Sequence, residues 1–184
     1  LDFAGYLQLE DRLFAELQAL SEQWAREGAG EECSMLEAAL AAACDAQGPE
    51  GFRSSRFNPA GWLRRLADGA PFNRSFRLVQ AQPRAQALLV HGLTDSPYSM
   101  HAMARTLHAQ GVDVTVLRLP GHGTLPSMLT SVSADDWTAA LRIAARDVAA
   151  RAGPGQPFYV GGYSSGGTLV LQYALDALHA PNLR

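Results

Sequence analysis

The sequence predicts an α/β protein in which helices flank a mostly parallel sheet, with an N-terminal helical extension ahead of the sheet. Two observations carry this prediction. From about residue 74 onward, short apolar runs alternate with segments of helical spacing, which is the pattern of an open parallel sheet. The length of 184 residues, with 47% hydrophobic and 18% charged side chains, suits one globular domain with an appendage.

The extension is predicted to occupy residues 1–70. Apolar side chains recur at every third or fourth position and predict one helix that ends at Gly28 and Gly30. A capping-box pattern at residues 34–37 predicts a second helix, which ends before Gly48. Both helices are expected to pack against each other or the main domain; a lid over the site, dimerisation and contact with a membrane surface are the alternatives. The inward stripe of the first helix is predicted to be Tyr6, Leu9, Leu13, Leu17, Leu20 and Trp24.

Residues 52–70 are interpreted as an irregular joint, and the sheet domain is predicted to occupy residues 71–184. Ser96 and Pro97 open a helix that Gly111 ends, and Ser133 caps another that Gly153 breaks. Four strands are predicted around these helices, over residues 76–79, 85–90 and 112–119 and from Phe158 to the following glycine turn. The inward faces of the two helices are predicted to be Met100, Met103, Ala104 and Leu107, and Trp137, Leu141, Ala144 and Val148.

The fourth predicted strand runs directly into Gly162-x-Ser164-x-Gly166, a pattern typical of a nucleophile elbow. A strand that turns at once into a helix brings backbone segments close together, so glycine is needed where a Cβ would clash. Ser164 is expected at the apex of this turn with its hydroxyl exposed. Ser165 begins the helix, and its backbone N–H is a free donor suited to a developing oxyanion.

Charge and run length argue against two classes of function. The net charge of −3 gives no basic stripe for nucleic acid, and no apolar run approaches the length of a transmembrane segment. Cys33 and Cys44 lie about 16 Å apart along the second predicted helix, too far for a disulfide between them, and are interpreted as small core residues. The compartment stays open between the bacterial cytoplasm and the cell envelope.

Three segments together carry a resemblance to a known family. Residues 88–97 contain His91-Gly92-Leu93, residues 117–123 contain Gly121-His122-Gly123, and the elbow follows them. In this order they resemble the α/β-hydrolase superfamily, more narrowly its bacterial lysophospholipase, monoacylglycerol-lipase and carboxylesterase branch. The resemblance covers roughly residues 74–184, and it implies the front part of an α/β-hydrolase fold.

The resemblance also implies a role for each motif residue. Ser164 is the nucleophile, and the backbone N–H groups of Ser165 and Leu93 form the oxyanion hole. Neither a metal nor an organic cofactor is implied. The residues expected to shape the site are His91, Gly92, Gly162, Gly166 and His122, the last on a turn near the rim.

A serine nucleophile needs a neighbouring base, and the family order is nucleophile, acid, then histidine. Asp176 and His179 follow Ser164, but they lie about 18 Å or more along the helix that leaves the elbow. They are therefore rejected, and the acid and histidine are expected beyond Arg184. Further strands are expected there too, because an α/β sheet cut after this helix would expose an unpaired apolar edge. This remainder of the hydrolase is expected on the same polypeptide or on a separate one.

The predicted function is a serine hydrolase that cleaves carboxylic acyl esters, with lipid-like substrates favoured and Ser164 carrying the acyl group. Peptide, thioester and lactone substrates use the same apparatus and remain alternatives. A non-catalytic binding protein of the same fold is the alternative from another class. An intact elbow and oxyanion loop argue against it, because a protein that only binds needs neither.

Overall fold

The computed structural model describes residues 1–27, 73–124 and 126–179. The second predicted helix, both cysteines and the joint at residues 52–70 lie outside these ranges. Four strands form one sheet in the spatial order β1-β3-β2-β4, so each of the four predicted strands is confirmed. They are β1 (Phe76–Leu78), β2 (Ala85–Val90), β3 (Val112–Leu117) and β4 (Phe158–Gly162).

The strand pairing places the ends of β2 and β4 side by side. β2 is parallel to both neighbours, whereas β1 is antiparallel to β3. At the carboxyl edge of the sheet, Val90 of β2 is opposite Leu117 of β3 on one side and Gly162 of β4 on the other. The loops that follow these three strands therefore leave the sheet at one edge, which is where open parallel sheets carry their reactive groups.

The helices begin and end where the local chemistry predicts. Gly111 adopts φ +82° after the helix that Pro97 opens, and Ser133 forms a capping box with Asp136. Ser96 occupies the N-cap position, but its side chain makes no capping hydrogen bond. The helices are α1 (Phe3–Glu27), α2 (His101–Ala109, preceded by a 3₁₀ turn at Pro97–Met100), α3 (Ala134–Arg151) and α4 (Ser165–His179), and a further 3₁₀ segment spans Pro126–Ser131.

The sheet separates two apolar clusters. On one face, Leu88, Val90 and Leu117 pack with α1, α3 and α4. On the other face, Leu89, Val114 and Val116 pack with α2 and with β1. Side chains alternate between the faces because successive strand residues point in opposite directions. α1 thus belongs to the same layer as the helix that follows the predicted elbow.

Two predicted inward positions are wrong. Leu9 is 45% exposed and Met103 is 51% exposed, whereas Glu10 and His101 are buried next to them. On α1 the buried stripe runs through Phe3, Tyr6, Glu10, Phe14 and Leu17. A prediction from periodicity assigns only apolar residues to the buried stripe. It therefore leaves out Glu10, whose charge is compensated inside the protein by Arg118.

Two predicted strands are shorter than expected. The β3 ladder ends at Leu117 because its partner β2 ends at Val90, directly opposite. β1 ends at Leu78, and the following Val79 is 60% exposed. The backbone N–H of Gln80 then donates to the Asp113 carboxylate instead of to a strand partner.

Candidate active site

The predicted elbow is a tight strand-to-helix turn with Ser164 at its apex. Ser164 adopts φ +52° and is exposed, as the sequence predicts. The N–H of Gly166 donates to the carbonyl of Tyr163 at 2.9 Å, and the N–H of Thr168 donates to the carbonyl of Ser164 at 3.1 Å. The helix therefore begins immediately after the serine, and the Ser165 N–H is among the donors that have no partner within the helix.

Two glycines of the elbow are required by close backbone contacts. A Cβ on Gly162 would lie 2.4 Å from the carbonyl carbon of Gly166. A Cβ on Gly166 would lie 2.3 Å from the carbonyl oxygen of His91 and 2.5 Å from that of Val90. No side chain fits at these distances, so glycine at both positions lets α4 start against the end of β2.

The loop after β2 lies against the serine. The N–H of Tyr163 donates to the carbonyl of Val90 at 3.1 Å, which continues the pairing of the two strands into the turn. A Cβ built on Gly92 would be 3.3 Å from the Cβ of Ser164. The fold thus brings Gly92 and Ser164 together across a separation of seventy-two residues, and Leu93 follows directly.

Strained backbone is concentrated in these two loops. Within the described ranges, Thr94 (φ +58°) and Ser164 (φ +52°) are the only non-glycine residues with positive φ. Thr94 belongs to a turn that the N–H of Asp95 closes by donating to the carbonyl of Gly92 at 3.3 Å. Such conformations cost about 1–3 kcal/mol each, are least favourable for β-branched residues and cluster at functional sites.

His91 is fully buried and holds the loop with both ring nitrogens. Its Nε2 accepts from the N–H of Leu119 at 3.1 Å, so Nδ1 carries the proton and donates to the carbonyl of Gly92 at 2.9 Å. Burial lowers the pKa of His91 to about 4. The ring is therefore neutral at physiological pH, and it joins the loop after β2 to the segment after β3.

His122 lies beside His91 and is also buried. The two ring centroids are 5.0 Å apart in an edge-to-face arrangement, and the Trp137 ring packs on the other side of His122 at 5.3 Å. His122 Nδ1 and Trp137 Nε1 both donate to the carbonyl of Pro120 at 3.0 Å. Burial lowers the pKa of His122, so this ring is neutral as well.

The described ranges contain all five histidines of the chain, and none of them is hydrogen-bonded to the Ser164 hydroxyl. His101 packs against Phe76, and His108 and His179 bond to backbone carbonyls at exposed positions. Asp176 is paired with Arg142 at 2.6 Å. The described part of the chain thus gathers the nucleophile and loop residues of the prediction, without a histidine and carboxylate couple.

Sequence reasoning missed three side chains that contact His122 or bind one another beside it: Trp137, Arg118 and Glu10. Sequence patterns assign Trp137 only to a helix face, and they give Glu10 and Arg118 no role. A charged residue that interrupts the apolar run at residues 112–119 is a usable signal for Arg118. Glu10 stands four residues after Tyr6 and four before Phe14, which places it on their side of the helix.

The sheet order, the elbow and the adjoining loop define an α/β-hydrolase. Within this class, the chain belongs to the family described as serine aminopeptidase, S33, whose model matches residues 81–183. The resemblance inferred from the motifs is therefore confirmed at the level of the superfamily, and its lipase and esterase branch is supported by the relatives below.

A thermostable monoacylglycerol lipase of Bacillus sp. (strain H-257) is 37% identical over 87 residues, which cover 47% of this chain and 34% of the lipase. The chain therefore spans about a third of the length of this curated relative. A solved structure from work on LipS and LipT, two metagenome-derived lipolytic enzymes, matches with TM-score 0.52 and 32% identity over 61% of this chain and 42% of that one.

In the parts of the chain that the structure describes, no helix combines the length and apolar composition needed to cross a bilayer. Within the same ranges, no three His, Cys, Asp or Glu side chains form a group suited to hold a metal ion.

Proposed function

We propose that this protein is a serine hydrolase that cleaves carboxylic acyl esters through an acyl-enzyme at Ser164. The observation that carries the proposal is an exposed serine in the left-handed conformation at a strand-to-helix turn, with Gly92 against its Cβ. Two relatives named as lipolytic enzymes support ester substrates.

In the proposed reaction, the Ser164 hydroxyl attacks the ester carbonyl carbon as its proton passes to a histidine base. The tetrahedral intermediate then collapses, the C–O bond to the leaving group breaks, and the alcohol takes that proton. Water repeats the sequence on the acyl-enzyme and releases the acid. The base and the carboxylate that orients it remain a prediction for sequence beyond Arg184.

The oxyanion of the intermediate needs donors placed where its charge develops. We assign this role to the N–H groups of Ser165, at the start of α4, and Leu93, directly after Gly92. The positive end of the α4 dipole lies at the same point and favours negative charge. His91 keeps the Leu93 donor in place through its bond to the Gly92 carbonyl.

Apolar side chains around the serine favour an apolar acyl group. Leu93 is 51% exposed and Tyr163, adjacent to the nucleophile in sequence, is 65% exposed. Exposed side chains of this size are well suited to bury hydrocarbon on binding, at about 0.8 kcal/mol per buried methylene.

Covalent labelling of the full-length protein with a fluorophosphonate probe tests the proposal. We expect labelling at Ser164 that is lost in Ser164→Ala and retained in Ser165→Ala, because the latter keeps its backbone N–H. Hydrolysis of p-nitrophenyl esters should be lost in the same variant. Absence of labelling in the unmodified full-length protein would contradict the proposal and favour the non-catalytic binding protein.

Peptide substrates are the second candidate, since the family description names a serine aminopeptidase. The same nucleophile would then attack the first peptide bond of a substrate with a free amino group. Comparing aminoacyl p-nitroanilides with p-nitrophenyl esters separates the two. A kcat/KM at least as high for the anilides as for the esters would favour the peptidase.

A further inference from the structure

A buried ion pair joins α1 to the segment after β3. Nε of Arg118 lies 3.2 Å from Oε1 of Glu10, and the two side chains are only 6% and 2% exposed. The backbone N–H of Ser75 donates to the same Glu10 oxygen at 2.6 Å. Buried charges are costly to desolvate, so such a pair is a weak device for stability and a candidate for fixing one geometry.

One face of α1 makes further contacts with Arg118. The Tyr6 hydroxyl donates to the backbone carbonyl of Arg118 at 2.5 Å, and the guanidinium carbon lies 5.6 Å from the centroid of the Phe14 ring. Together with Glu10, these contacts come from three successive turns of one face of α1. The direction of the guanidinium is therefore set by the N-terminal helix, which precedes the part of the chain that the family model matches.

The end of the guanidinium that does not bind Glu10 is directed towards the candidate active site. Nη1 of Arg118 donates to the backbone carbonyl of His122 at 2.8 Å, and the His122 ring packs edge-to-face on His91. His91 donates to the carbonyl of Gly92, and Gly92 lies against Ser164. The contacts run without a break from α1 to the loop that carries the Leu93 N–H.

We propose that Glu10 and Arg118 are positioning residues of the hydrolase, through which α1 fixes the His122 and His91 rings and so the oxyanion loop beside Ser164. This inference rests on the proposed function, because it assigns the pair a role in acyl transfer at Ser164. It makes α1 part of the catalytic apparatus, and not only a packing element or a lid.

The directional bond of Arg118 is what distinguishes positioning from packing. An apolar pair of similar volume would fill the same space and would remove the cost of two buried charges. It would leave the His122 carbonyl without its donor, and the turn under the histidine rings would lose one fixed point. Activity and stability should therefore respond differently when the pair is replaced.

The first test is Glu10→Gln in the full-length protein, with Asp11→Asn as its matched control. Asp11 is the next residue of α1, its side chain is 66% exposed, and it pairs with Arg74 at the surface. We expect Glu10→Gln to lower kcat for p-nitrophenyl esters about tenfold with KM changed less than about twofold, measured well below the unfolding temperature. Asp11→Asn should leave both constants unchanged.

The second test compares a substrate ester with its thiono analogue, in which sulfur replaces the carbonyl oxygen. Sulfur accepts hydrogen bonds poorly, so a well-placed oxyanion hole discriminates against the thiono ester. A displaced loop should reduce this discrimination in Glu10→Gln. Partial unfolding lowers both rates equally and leaves their ratio unchanged.

The third test is the double variant Glu10→Gln with Arg118→Met, which removes both charges. We expect its thermal stability to recover relative to Glu10→Gln while kcat stays low, because the donor to His122 is absent. If kcat follows stability across these variants, or the ester-to-thiono ratio stays at the unmodified value, the positioning role is wrong. Failure of the unmodified protein to label at Ser164 or to cleave esters would instead overturn the proposed function.

Discussion

Several residues at the carboxyl edge of the sheet have a backbone conformation or a close backbone contact that is unfavourable or impossible for most residue types. Ser164 and Thr94 hold positive φ, and Gly162 and Gly166 allow contacts closer than any side chain permits. Burial keeps the His91 ring uncharged, and the ring donates to the Gly92 carbonyl. Each feature costs stability, and their concentration around one serine is what supports a catalytic role for it.

Gly166→Ala tests the close contact of the elbow. The new Cβ would overlap the His91 carbonyl, so we expect the free energy of unfolding to fall by about 3 kcal/mol or more. Denaturant unfolding followed by circular dichroism measures the change. The control is Gly153→Ala, where a Cβ meets nothing within 4 Å; equal effects of the two substitutions would contradict the interpretation of the elbow.

His91 predicts a pH dependence of stability. Its pKa is lowered to about 4 in the folded protein, with His122, Asp95 and Arg118 as the charged or titratable neighbours. Between about pH 6.5 and pH 4, His91 is protonated in the unfolded chain but stays neutral in the folded protein. The stability from neutral His91 is therefore complete above about pH 6.5 and is lost towards pH 4, by about 3 kcal/mol.

Denaturant unfolding at pH 7.5 and pH 4 measures this loss. We expect His91→Gln to be less stable at neutral pH but to show a shallower decline on acidification. His179→Gln, at an exposed position at the end of α4, should keep the slope of the unmodified protein. An unchanged slope in His91→Gln would contradict the assignment of a neutral buried ring.

At the scale of elements, local sequence signals decide where helices begin, and packing decides which side they bury. The predicted cap of α3 at Ser133 forms, and the structure shows it to be a capping box in which Ser133 and Asp136 bond to each other's backbone N–H groups. The Asp136 carboxylate accepts from the backbone N–H and from the hydroxyl of Ser133, which lowers the pKa of Asp136. On α1, by contrast, the buried side includes Glu10, whose partner Arg118 lies more than a hundred residues away in sequence.

Ser133→Ala tests the capping box. Removing the hydroxyl leaves the N–H of Asp136 without its acceptor, so we expect a loss of about 1 kcal/mol in the free energy of unfolding. Thr138→Ala removes a hydroxyl of the same helix that bonds only to a carbonyl within it, and should change stability by less than about 0.5 kcal/mol. Thermal and denaturant unfolding of both variants provide the comparison.

At the scale of the whole molecule, burial is uneven across the sheet. Every residue of β2 and β3 is buried, whereas those of β4 are half-buried or exposed. Large apolar side chains lie open on and beside this strand. They are Tyr159 on β4 and Leu171, Leu175 and Leu178 on α4. The prediction that further strands of the hydrolase pair with β4 remains a prediction, and this exposed β4–α4 face is what supports it.

Leu175→Glu combined with Leu178→Glu in the full-length protein tests that prediction. If further polypeptide covers the β4–α4 face, we expect a loss of about 2 kcal/mol for each leucine, since a charge would replace a buried apolar side chain. Met103→Glu is the control, at an exposed position of α2 on the other side of the sheet. Equally small changes in the free energy of unfolding for all three glutamates would show that the β4–α4 face is exposed to solvent and would contradict the prediction.

The geometry of the elbow and the adjoining loop could be predicted from sequence because its signals are local. The glycines of the elbow, the serine between them and the His91-Gly92-Leu93 loop form short patterns with steric reasons behind each residue. The burial of Glu10 and Arg118 had no such pattern, since a buried charge is identified only by its partner. The exposure of Leu9 and Met103 shows the same limit, because the identity of an apolar residue does not tell which side of its helix packs against another element.

The sequence by itself determined the order of strands and helices, the caps and the position of the nucleophile elbow, because these depend on residues a few positions apart. Only the tertiary structure decided that α1 contacts Arg118, that His91 and His122 pack edge-to-face, and that Tyr159 of β4 is exposed. These features depend on contacts between residues distant in sequence, so they are determined by spatial proximity, burial and charge compensation and leave no local sequence pattern.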